Sequence, residues 1–310
     1  MLKGNIFITG GAGTLGRAII QRATAENWPA KITVYSRDPL KHIRLQREFP
    51  QVRCILGDIL DYDGMYRAMV GHDIVIHAAA QKHIPQAEAD PINCYQVNVN
   101  GSLNVAAAAV QAGVKQALAI STDKAAYPMN TYGRSKAIME DVWREYGRTW
   151  GDVCSFHLCR YGNVIGSNGS VVQVWQQQMA AGKRPTVTDL HMTRFWLSEA
   201  QAVNIVLKAL SSPNGTNAIP MAPALDMQTF AQHVLGRGAE LETIGLRPGE
   251  RIHEWLITPE EYPFCEADGD GFWLLGETVV NAGLDEGYRS DNPIRKLNRD
   301  ELLGILGVQS

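Results

Sequence analysis

Two short stretches of the chain carry residues whose types and spacing could move protons. The first is Ser121-Thr-Asp-Lys124, and the second begins at Tyr132 and reaches Lys136 four positions later. Side chains four positions apart share one face of a helix, so Tyr132 and Lys136 would lie side by side. A phenol has a pKa of about 10, and a neighbouring ammonium stabilises its ionised form. The sequence therefore predicts a phenol–ammonium pair that could take a proton from a hydroxyl group. Asp123 and Lys124 would form a second acid–base pair beside it.

Alternating strand and helix patterns predict the scaffold that positions these residues. The predicted strands are residues 5–9, 31–35, 52–56, 74–80, 116–120 and 153–160, separated by helical patterns such as 15–26, 91–113 and 132–150. This alternation implies an α/β fold with a doubly wound parallel sheet, in which ligands bind at the carboxyl ends of the strands. We expect residues 1–165 to form an NADP-binding Rossmann domain with a return contribution from about 191–210. Residues 166–310 would then form mainly a smaller substrate-binding lid.

A glycine-rich turn between the first strand and the first helix predicts a dinucleotide site. Gly10, Gly13 and Gly16 have the G-x-x-G-x-x-G spacing that lets a pyrophosphate approach the backbone at a helix N-terminus. The second strand ends at Ser36 and Arg37, and an Arg there accommodates the 2′-phosphate of NADP, whereas an acidic residue would select NAD. We therefore predict NADP rather than NAD. The expected cofactor contacts are Gly10, Gly13, Thr14, Leu15, Gly16, Ser36, Arg37, Lys41, Asp58, Ile59, Ala78, Ala79, Lys82, Tyr132 and Lys136.

Composition limits the classes of function. The 310 residues carry a net charge of −3, which gives no electrostatic reason to bind nucleic acid or an anionic membrane surface. No apolar run approaches the roughly 20 residues that span a bilayer. The five cysteines form no CxxC pair, and no Cys, His or carboxylate cluster has the spacing of metal ligands. We expect a cytoplasmic enzyme with reduced thiols and with no metal, nucleic acid or membrane partner.

Longer runs of sequence carry a resemblance to a known family. The glycine turn with Tyr132-x-x-x-Lys136 resembles the extended short-chain dehydrogenase/reductases that act on nucleotide sugars. Five further runs follow in order, namely His77-Ala-Ala-Ala-Gln-Lys-His-Ile-Pro-Gln-Ala-Glu88, Ser121-Thr-Asp-Lys-Ala125, Arg160-Tyr-Gly-Asn-Val164, Met192-Thr-Arg-Phe-Trp196 and Arg247-Pro-Gly-Glu250. Together they resemble the inverting UDP-N-acetylglucosamine 4,6-dehydratases of the pseudaminic acid pathway, over essentially the whole chain. One position departs from the family, which usually has Asn where Tyr127 stands.

The resemblance implies a hydro-lyase with tightly bound NADP that converts UDP-N-acetylglucosamine to a 4-keto-6-deoxy sugar with inversion at C5. It assigns Tyr132 with Lys136 to oxidation at C4, Lys124 to removal of the C5 proton and Asp123 to protonation of the C6 hydroxyl. Lys124 can act as a base only if burial or a neighbouring cation keeps its amine neutral. The expected substrate contacts are Lys82, Thr122, Asn163, Val164, Arg194, Arg247, Glu250 and Tyr288, and Thr122 is also counted with the catalytic residues. A homo-oligomer, a dimer or a hexamer, is expected.

Three alternatives remain open. A UDP-sugar 4-epimerase needs the Tyr132–Lys136 pair but no acid–base pair for C5 and C6, so Asp123–Lys124 distinguishes the two reactions. A dehydratase could release another product, such as a 5,6-unsaturated sugar, and Tyr127 at the rim of the site keeps this alternative open. A non-catalytic NADP-sensing module would bind the cofactor without turnover, and the Tyr132–Lys136 pair argues against it.

Overall fold

The structure is a computed structural model that describes residues 1–167, 169–236, 238–281 and 287–306. The strands are β1 Gly4–Thr9, β2 Ala30–Ser36, β3 Arg53–Leu56, β4 Ile74–His77, β5 Gln116–Ile120, β6 Ser155–Cys159, β7 Asn163–Val164, β8 Thr186–Val187, β9 Thr193–Leu197, β10 Asn217–Pro220, β11 Ala224–Asp226, β12 Glu242–Thr243, β13 Trp255–Ile257, β14 Cys265–Ala267, β15 Phe272–Leu275 and β16 Tyr288–Arg289. The helices are α1 Thr14–Ala25, α2 Pro39–Glu48, α3 Tyr62–Met69, α4 Ile84–Ala89, α5 Pro91–Tyr95, α6 Gly101–Gln111, α7 Thr131–Trp150, α8 Val171–Ala180, α9 Glu199–Ser211, α10 Met227–Leu235 and α11 Arg299–Leu306.

A nine-stranded sheet forms the centre of the molecule, in the order β14-β15-β10-β6-β5-β4-β1-β2-β3. The seven neighbouring strands β10, β6, β5, β4, β1, β2 and β3 pair in parallel. Strands β15 and β14 add antiparallel pairs at the β10 edge of the sheet. The predicted doubly wound α/β sheet is confirmed. Because β1 lies between β2 and β4, the winding direction reverses there, and a crevice opens beyond the carboxyl ends of β1 and β4. Strands β10, β14 and β15 join this sheet from the second half of the chain.

Side chains that alternate along the central strands bury both faces of the sheet. Ile6 and Ile8 of β1 pack in one core with α1 and α9, whereas Phe7 packs in the other core with α3, α6 and α7. A third core, separate from these two, lies in the second half of the chain, where the rings of Trp196 and Phe230 stack with centroids 3.9 Å apart. The two faces of the sheet therefore fix the scaffold, and the second half of the chain also forms a small core of its own.

The predicted helix over residues 91–113 is interrupted by a π-helical turn, Gln96–Asn100, between α5 and α6. This turn carries Asn98, whose side chain accepts from the Gln81 N–H at 2.8 Å and donates to the Gln81 carbonyl at 2.9 Å. The Asn98 amide also donates to Ser135 Oγ of α7 at 2.9 Å. Such turns are frequent at functional sites, and this one fixes the loop after β4 against α7.

Helix α7 begins with an N-cap that also joins it to the lid. Asn130 accepts from the Gly133 N–H at 2.7 Å, and its amide nitrogen donates to the Gly249 carbonyl at 2.8 Å. Glu88 of α4 accepts from the Thr131 N–H at 2.6 Å. The first turn of α7, which carries Tyr132, is therefore held from three directions.

Two further expectations concern the oxidation state of the cysteines and the presence of membrane-spanning helices. All five cysteines are free thiols, and four of them are buried. In the part of the chain that the structure describes, no helix has the length and apolar character needed to cross a bilayer.

Candidate active site

A cavity of about 1020 Å³ opens at the carboxyl ends of β1, β2, β4, β5 and β6. Every residue expected to contact the cofactor lines it, namely Gly10, Gly13, Thr14, Leu15, Gly16, Ser36, Arg37, Lys41, Asp58, Ile59, Ala78, Ala79, Lys82, Tyr132 and Lys136. Thr122 and Lys124 line the same cavity. The glycine turn and the expected reacting groups therefore share one space, as the strand-end argument requires.

The glycine turn has the shape of a pyrophosphate cradle. Gly10 has a φ of +67°, and a Cβ on it would lie 2.8 Å from the backbone of Ala79. A Cβ on Gly16 would lie 2.2 Å from the carbonyl oxygen of Gly11, so the turn closes tightly against α1. Helix α1 begins after Gly13, which has no side chain to cap the first N–H groups. Thr14, Leu15 and Gly16 of this first turn line the cavity, where the N-terminus of a helix suits the phosphates of a dinucleotide.

Cations line the far end of the cavity, beyond β2 and β3. Arg37 Nη1 lies 3.4 Å from Asp58 Oδ2, and the Arg37 side chain is 64% exposed whereas that of Asp58 is 36% exposed. Burial and the nearby charge of Lys41 lower the pKa of Lys82. Arg37, Lys41 and Lys82 therefore give this end three basic groups that suit an anionic ligand, and Asp58 and Asp38 are the carboxylates that pair with the first two.

Asp123 and Lys124 lie immediately after β5, where hydrogen bonds to the β6 segment continue past the strand. The Ser121 N–H donates to the Cys159 carbonyl at 2.7 Å, and the Asp123 N–H donates to the Tyr161 carbonyl at 3.0 Å. These bonds fix the backbone of both stretches at the carboxyl edge of the sheet. Both residues therefore lie at the edge of the sheet at which ligands of such folds bind.

The Asp123 carboxylate is completely buried and lies behind Lys124. Its Oδ1 accepts from Lys124 Nζ at 3.0 Å and from Thr122 Oγ1 at 2.8 Å. Its Oδ2 is buried without a hydrogen-bond partner among the described residues. Thr122 and Lys124 line the cavity but Asp123 does not, so these two side chains separate it from the cavity.

The protonation of this pair follows from its burial and charges. Burial raises the pKa of Asp123, against the opposing charge of Lys124. Burial alone would lower the pKa of Lys124, but the carboxylates of Asp123 and Glu254 outweigh it and raise the pKa above its usual value. The resting site therefore holds an ammonium at Lys124, whereas the sequence analysis required a neutral amine.

Tyr132 lines the cavity, and the cation that opposes burial and acts to lower the pKa of its phenol is not the predicted Lys136. Burial raises the pKa of Tyr132 to about 12, while the charge of Lys124 and a hydrogen bond with Thr122 act in the lowering direction. Lys136 instead donates from Nζ to Met139 Sδ at 2.7 Å, and burial lowers its pKa to about 8 against the charge of Glu140. In this structure Lys124, not Lys136, therefore provides the charge that favours the phenolate.

A buried ion-pair network supports the site from behind. Arg160 lies 2.6 Å from Glu140 of α7 and 2.8 Å from Glu261, and it bonds each carboxylate through two nitrogens. Ser121 donates to Glu140 at 2.5 Å. Burial opposes the ionisation of Glu140, but Arg160 outweighs it and lowers the pKa of Glu140 to about 2. The network ties β5, β6 and α7 to a segment from the last fifth of the chain.

The expected substrate contacts fall into two groups. Lys82, Thr122, Asn163 and Val164 line the cavity, but Arg194, Arg247, Glu250 and Tyr288 do not. Arg194 is buried, and its guanidinium donates to the carbonyls of Thr193, Ile252 and Arg251 at 2.7, 3.0 and 2.9 Å. Tyr288 is buried and donates to the carbonyl of Ala222 at 2.5 Å.

Arg247 and Glu250 lie in a loop that packs against the start of α7. The Arg247 N–H donates to Glu250 Oε2 at 3.2 Å, and Gly249 in the same loop accepts from Asn130. The Arg247 side chain is exposed. In this structure the loop positions α7 and does not reach the cavity.

Tyr127, the position that departs from the family pattern, has a left-handed backbone with a φ of 46°. Asn tolerates this conformation better than Tyr, which gives a physical reason for the family's preference. The Tyr127 hydroxyl donates to Glu260, and the ring lies edge-on to Trp255 with centroids 5.5 Å apart. The Arg251 guanidinium lies 6.0 Å from the ring centroid. Tyr127 therefore anchors a small aromatic and cationic cluster at the rim.

Sequence reasoning missed Glu254, which is buried beside the acid–base pair. Its Oε1 lies 3.5 Å from Lys124 Nζ and 3.8 Å from Arg194 Nε. The available signal was its position, because an acidic residue directly before the apolar strand β13 is unusual unless its charge is paired. Within the described ranges, no group of three or more His, Cys, Asp or Glu side chains could hold a metal ion.

Comparisons with known proteins agree in family. The profile of the polysaccharide biosynthesis protein family matches residues 6–269. The inverting UDP-N-acetylglucosamine 4,6-dehydratase of Campylobacter jejuni is 38% identical in an alignment 326 positions long, which covers 98% of this chain and 97% of that protein. The UDP-glucose 4-epimerase of Rickettsia massiliae is 36% identical in an alignment 328 positions long, which covers 97% of this chain and 94% of that protein.

Two solved structures show the same fold. The X-ray structure of Pen from Bacillus thuringiensis superposes with a TM-score of 0.90 at 30% identity and covers 99% of this chain and 98% of that one. The dTDP-glucose 4,6-dehydratase DesIV from Streptomyces venezuelae, solved with NAD bound, has a TM-score of 0.72 at 22% identity and covers 80% of this chain and 86% of that one.

Proposed function

The chain belongs to the polysaccharide biosynthesis protein family within the extended short-chain dehydrogenase/reductases, and from this membership we propose the reaction that it catalyses. It is a hydro-lyase, a nucleotide-sugar 4,6-dehydratase that acts on UDP-N-acetylglucosamine and gives a 4-keto-6-deoxy sugar with inversion at C5. One observation carries this proposal. The Asp123–Lys124 pair lies at the end of β5, with Lys124 in the cavity that Tyr132 and the glycine turn also line.

The first half of the reaction is oxidation at C4. A nicotinamide dinucleotide held by the glycine turn would supply the redox chemistry, as the hydride acceptor at C4 and the hydride donor at C6. Tyr132, as the phenolate, takes the proton of the C4 hydroxyl. Burial opposes this ionisation and keeps the pKa of Tyr132 at about 12, and the groups that favour the phenolate are the charge of Lys124 and the hydrogen bond with Thr122.

The second half is loss of water across C5 and C6. Lys124 Nζ and Asp123 Oδ1 are 3.0 Å apart, so one proton shift along this bond turns the ammonium and carboxylate into an amine and a carboxylic acid. The amine then takes the C5 proton, which the C4 ketone has acidified, as the C6–O bond breaks. The leaving hydroxyl takes the Asp123 proton and departs as water, which restores the charges of Asp123 and Lys124 and leaves a C5–C6 double bond. Reduction at C6 then requires a proton at C5, which balances the proton that Tyr132 took from the C4 hydroxyl, and inversion requires it to arrive on the face opposite to the one that lost its proton. Thr122, which lines the cavity and bonds Asp123 Oδ1 and Tyr132, is the bridge for the Asp123 proton.

The residues at the adenosine end favour NADP over NAD. Arg37, Ser36 and Lys41 line the end of the cavity beyond β2, and a guanidinium there suits a 2′-phosphate. A titration of the protein with each dinucleotide tests this choice. Tighter binding of NADP is expected, and equal or tighter binding of NAD would contradict it.

The remaining proposals concern the setting of the enzyme. Residues 1–165 and the return segment hold the cofactor, and the lid holds most of the substrate. The enzyme works in the cytoplasm, where nucleotide sugars are made, as a homo-oligomer, either a dimer or a hexamer. Light scattering of the purified protein measures the assembly directly, and a monomer at micromolar concentration would contradict it.

Mass spectrometry of the product tests the reaction. The protein is incubated with UDP-N-acetylglucosamine and NADP, and the product is expected to have lost one water molecule. The 4-epimerase alternative, which the Rickettsia relatives favour, predicts a product of unchanged mass. Repeating the reaction in heavy water and recording the NMR spectrum shows whether C5 carries deuterium and is inverted. Alkene signals in that spectrum would instead identify a 5,6-unsaturated product.

A further inference from the structure

We propose that Glu254 is a positioning residue for Lys124, a second carboxylate that fixes the ammonium and sets the pH range over which the Asp123–Lys124 pair works. This inference rests on the proposed function, because it assumes that Lys124 removes a proton during water loss. It concerns a residue outside the motif runs of the sequence and distant from Lys124 along the chain.

The contact geometry places Lys124 between two carboxylates. Its Nζ lies 3.0 Å from Asp123 Oδ1 and 3.5 Å from Glu254 Oε1. The Glu254 side chain is only 5% exposed and that of Lys124 17%, so water screens the contact little. A buried charge with a partner at this distance cannot be removed without a large effect on that partner.

The backbone of Glu254 is fixed on both sides. Its N–H donates to Ser290 Oγ at 2.9 Å, and its carbonyl accepts from the Ser290 N–H at 2.9 Å. Ser290 Oγ in turn donates to the carbonyl of Thr193 at 3.1 Å. The carboxylate is therefore presented from a rigid junction of β13, β16 and β9, rather than from a free loop.

Several charged or titratable groups among the described residues face this contact. Asp123, Arg194, Arg251 and Tyr132 surround Lys124 and Glu254. The neighbouring His253 turns away, because it bonds Thr193 and lies 3.8 Å from Asp291. Arg194 and Arg251 help to keep Glu254 ionised, so Glu254 offers Lys124 a permanent negative charge.

The expected effect has the same sign on both members of the pair. Burial is the largest influence on each of them, but beyond it the charge of Glu254 raises the pKa of Lys124 and also that of Asp123. Water loss needs the pair to hold the one proton that shifts between Lys124 and Asp123, so gain of a second proton at Asp123 sets the acid limb of the pH profile and loss of the shared proton from Lys124 sets the basic limb. Removing the charge of Glu254 therefore moves both limbs to lower pH.

The test compares pH profiles of water loss for the wild type, Glu254→Gln and Glu260→Gln. Glu260 is an exposed carboxylate of the same region that bonds Tyr127, so its variant controls for a general change of charge. For Glu254→Gln both limbs are expected to move to lower pH by about one unit, the shift that one opposite charge at this distance produces. The Glu260→Gln profile is expected to coincide with that of the wild type.

The outcomes separate this inference from the proposed function. A wild type that forms no dehydrated product contradicts the proposed function itself. A wild type that loses water together with a Glu254→Gln profile that is lower but unshifted overturns the role of Glu254, since a purely structural residue lowers the rate without moving the limbs. NADP binding verifies that Glu254→Gln is folded. If it is not, Glu254→Asp replaces it, with a smaller shift in the same direction expected and an unshifted profile counting against the proposal.

Discussion

The two ends of the cavity are built in different ways. The dinucleotide end is made mainly of neighbours in sequence, since one turn from Gly10 to Gly16 supplies the cradle and the segment from the end of β2 into α2 supplies the cations Arg37 and Lys41. The acid–base end gathers Asp123 and Lys124 from the segment after β5, Tyr132 from α7 and Glu254 from the last fifth of the chain. We infer from this comparison that cofactor binding depends on local backbone geometry. Proton transfer depends instead on charged groups that are distant in sequence and in contact in the folded chain. Substitutions at the two ends should therefore separate binding from chemistry.

The largest effect is expected for Lys124→Ala. Loss of a general base costs roughly 10²–10⁴-fold in rate, so water loss should fall by about 10³-fold, while NADP binding should stay within about twofold of the wild type. Product mass and an NADP titration measure the two quantities. Retained water loss would remove Lys124 from the mechanism, and lost NADP binding would remove the separation between the two ends.

Gly16→Ala should show the opposite pattern. The added Cβ would lie 2.2 Å from the carbonyl oxygen of Gly11, and this backbone clash should cost about 1–3 kcal/mol, or roughly 5- to 150-fold in NADP affinity. Gly304→Ala is the matched control, because a Cβ at that helical position meets no atom within 4 Å. NADP affinity unchanged by Gly16→Ala would contradict the cradle.

Arg37→Ala tests the cation at the adenosine end. A charge-assisted bond to the 2′-phosphate is worth about 1.5 kcal/mol at an exposed position, so NADP should bind about tenfold more weakly while NAD affinity hardly changes. Isothermal titration with both dinucleotides measures this difference. An equal loss for NADP and NAD would assign Arg37 to general packing instead of phosphate recognition.

The smallest effect is expected for Arg247→Ala. The family resemblance implies a contact with the diphosphate, but the exposed side chain does not line the cavity, so the KM for UDP-N-acetylglucosamine should change by no more than about twofold. Steady-state kinetics provide the measurement. A tenfold rise in KM would show that the loop of Arg247 moves onto bound substrate and would restore the role that the resemblance implies.

The sequence predicted those parts of the molecule that short stretches of consecutive residues specify. The period of the strands and the spacing of the glycines predicted the sheet, the cradle and the edge at which Thr122 and Lys124 meet Tyr132. It could not tell that Lys136 points to Met139, because spacing within a helix fixes the face but not the direction of a flexible ammonium. It could not find Glu254, because no local pattern reports a through-space partner.

Charged motif residues were the hardest to place. Arg194 was expected to reach a diphosphate, but its guanidinium is occupied by three backbone carbonyls that meet at one junction. A buried guanidinium needs such partners, and only the folded chain shows whether the partners are protein or ligand. Residue type alone could not decide between these possibilities for Arg194.

The bidentate grip of Arg160 on Glu261 gives the final segment of the polypeptide a place in the timing of biosynthesis. During translation, the nucleotide cradle leaves the ribosome well before residue 261, so a half-made chain has no second carboxylate for this guanidinium. Because the same guanidinium also bonds Glu140 of the helix that bears Tyr132, the network that braces this helix is complete only once residue 261 has been made. The newborn polypeptide thus holds every residue of the glycine cradle before it holds every residue of this ion-pair network.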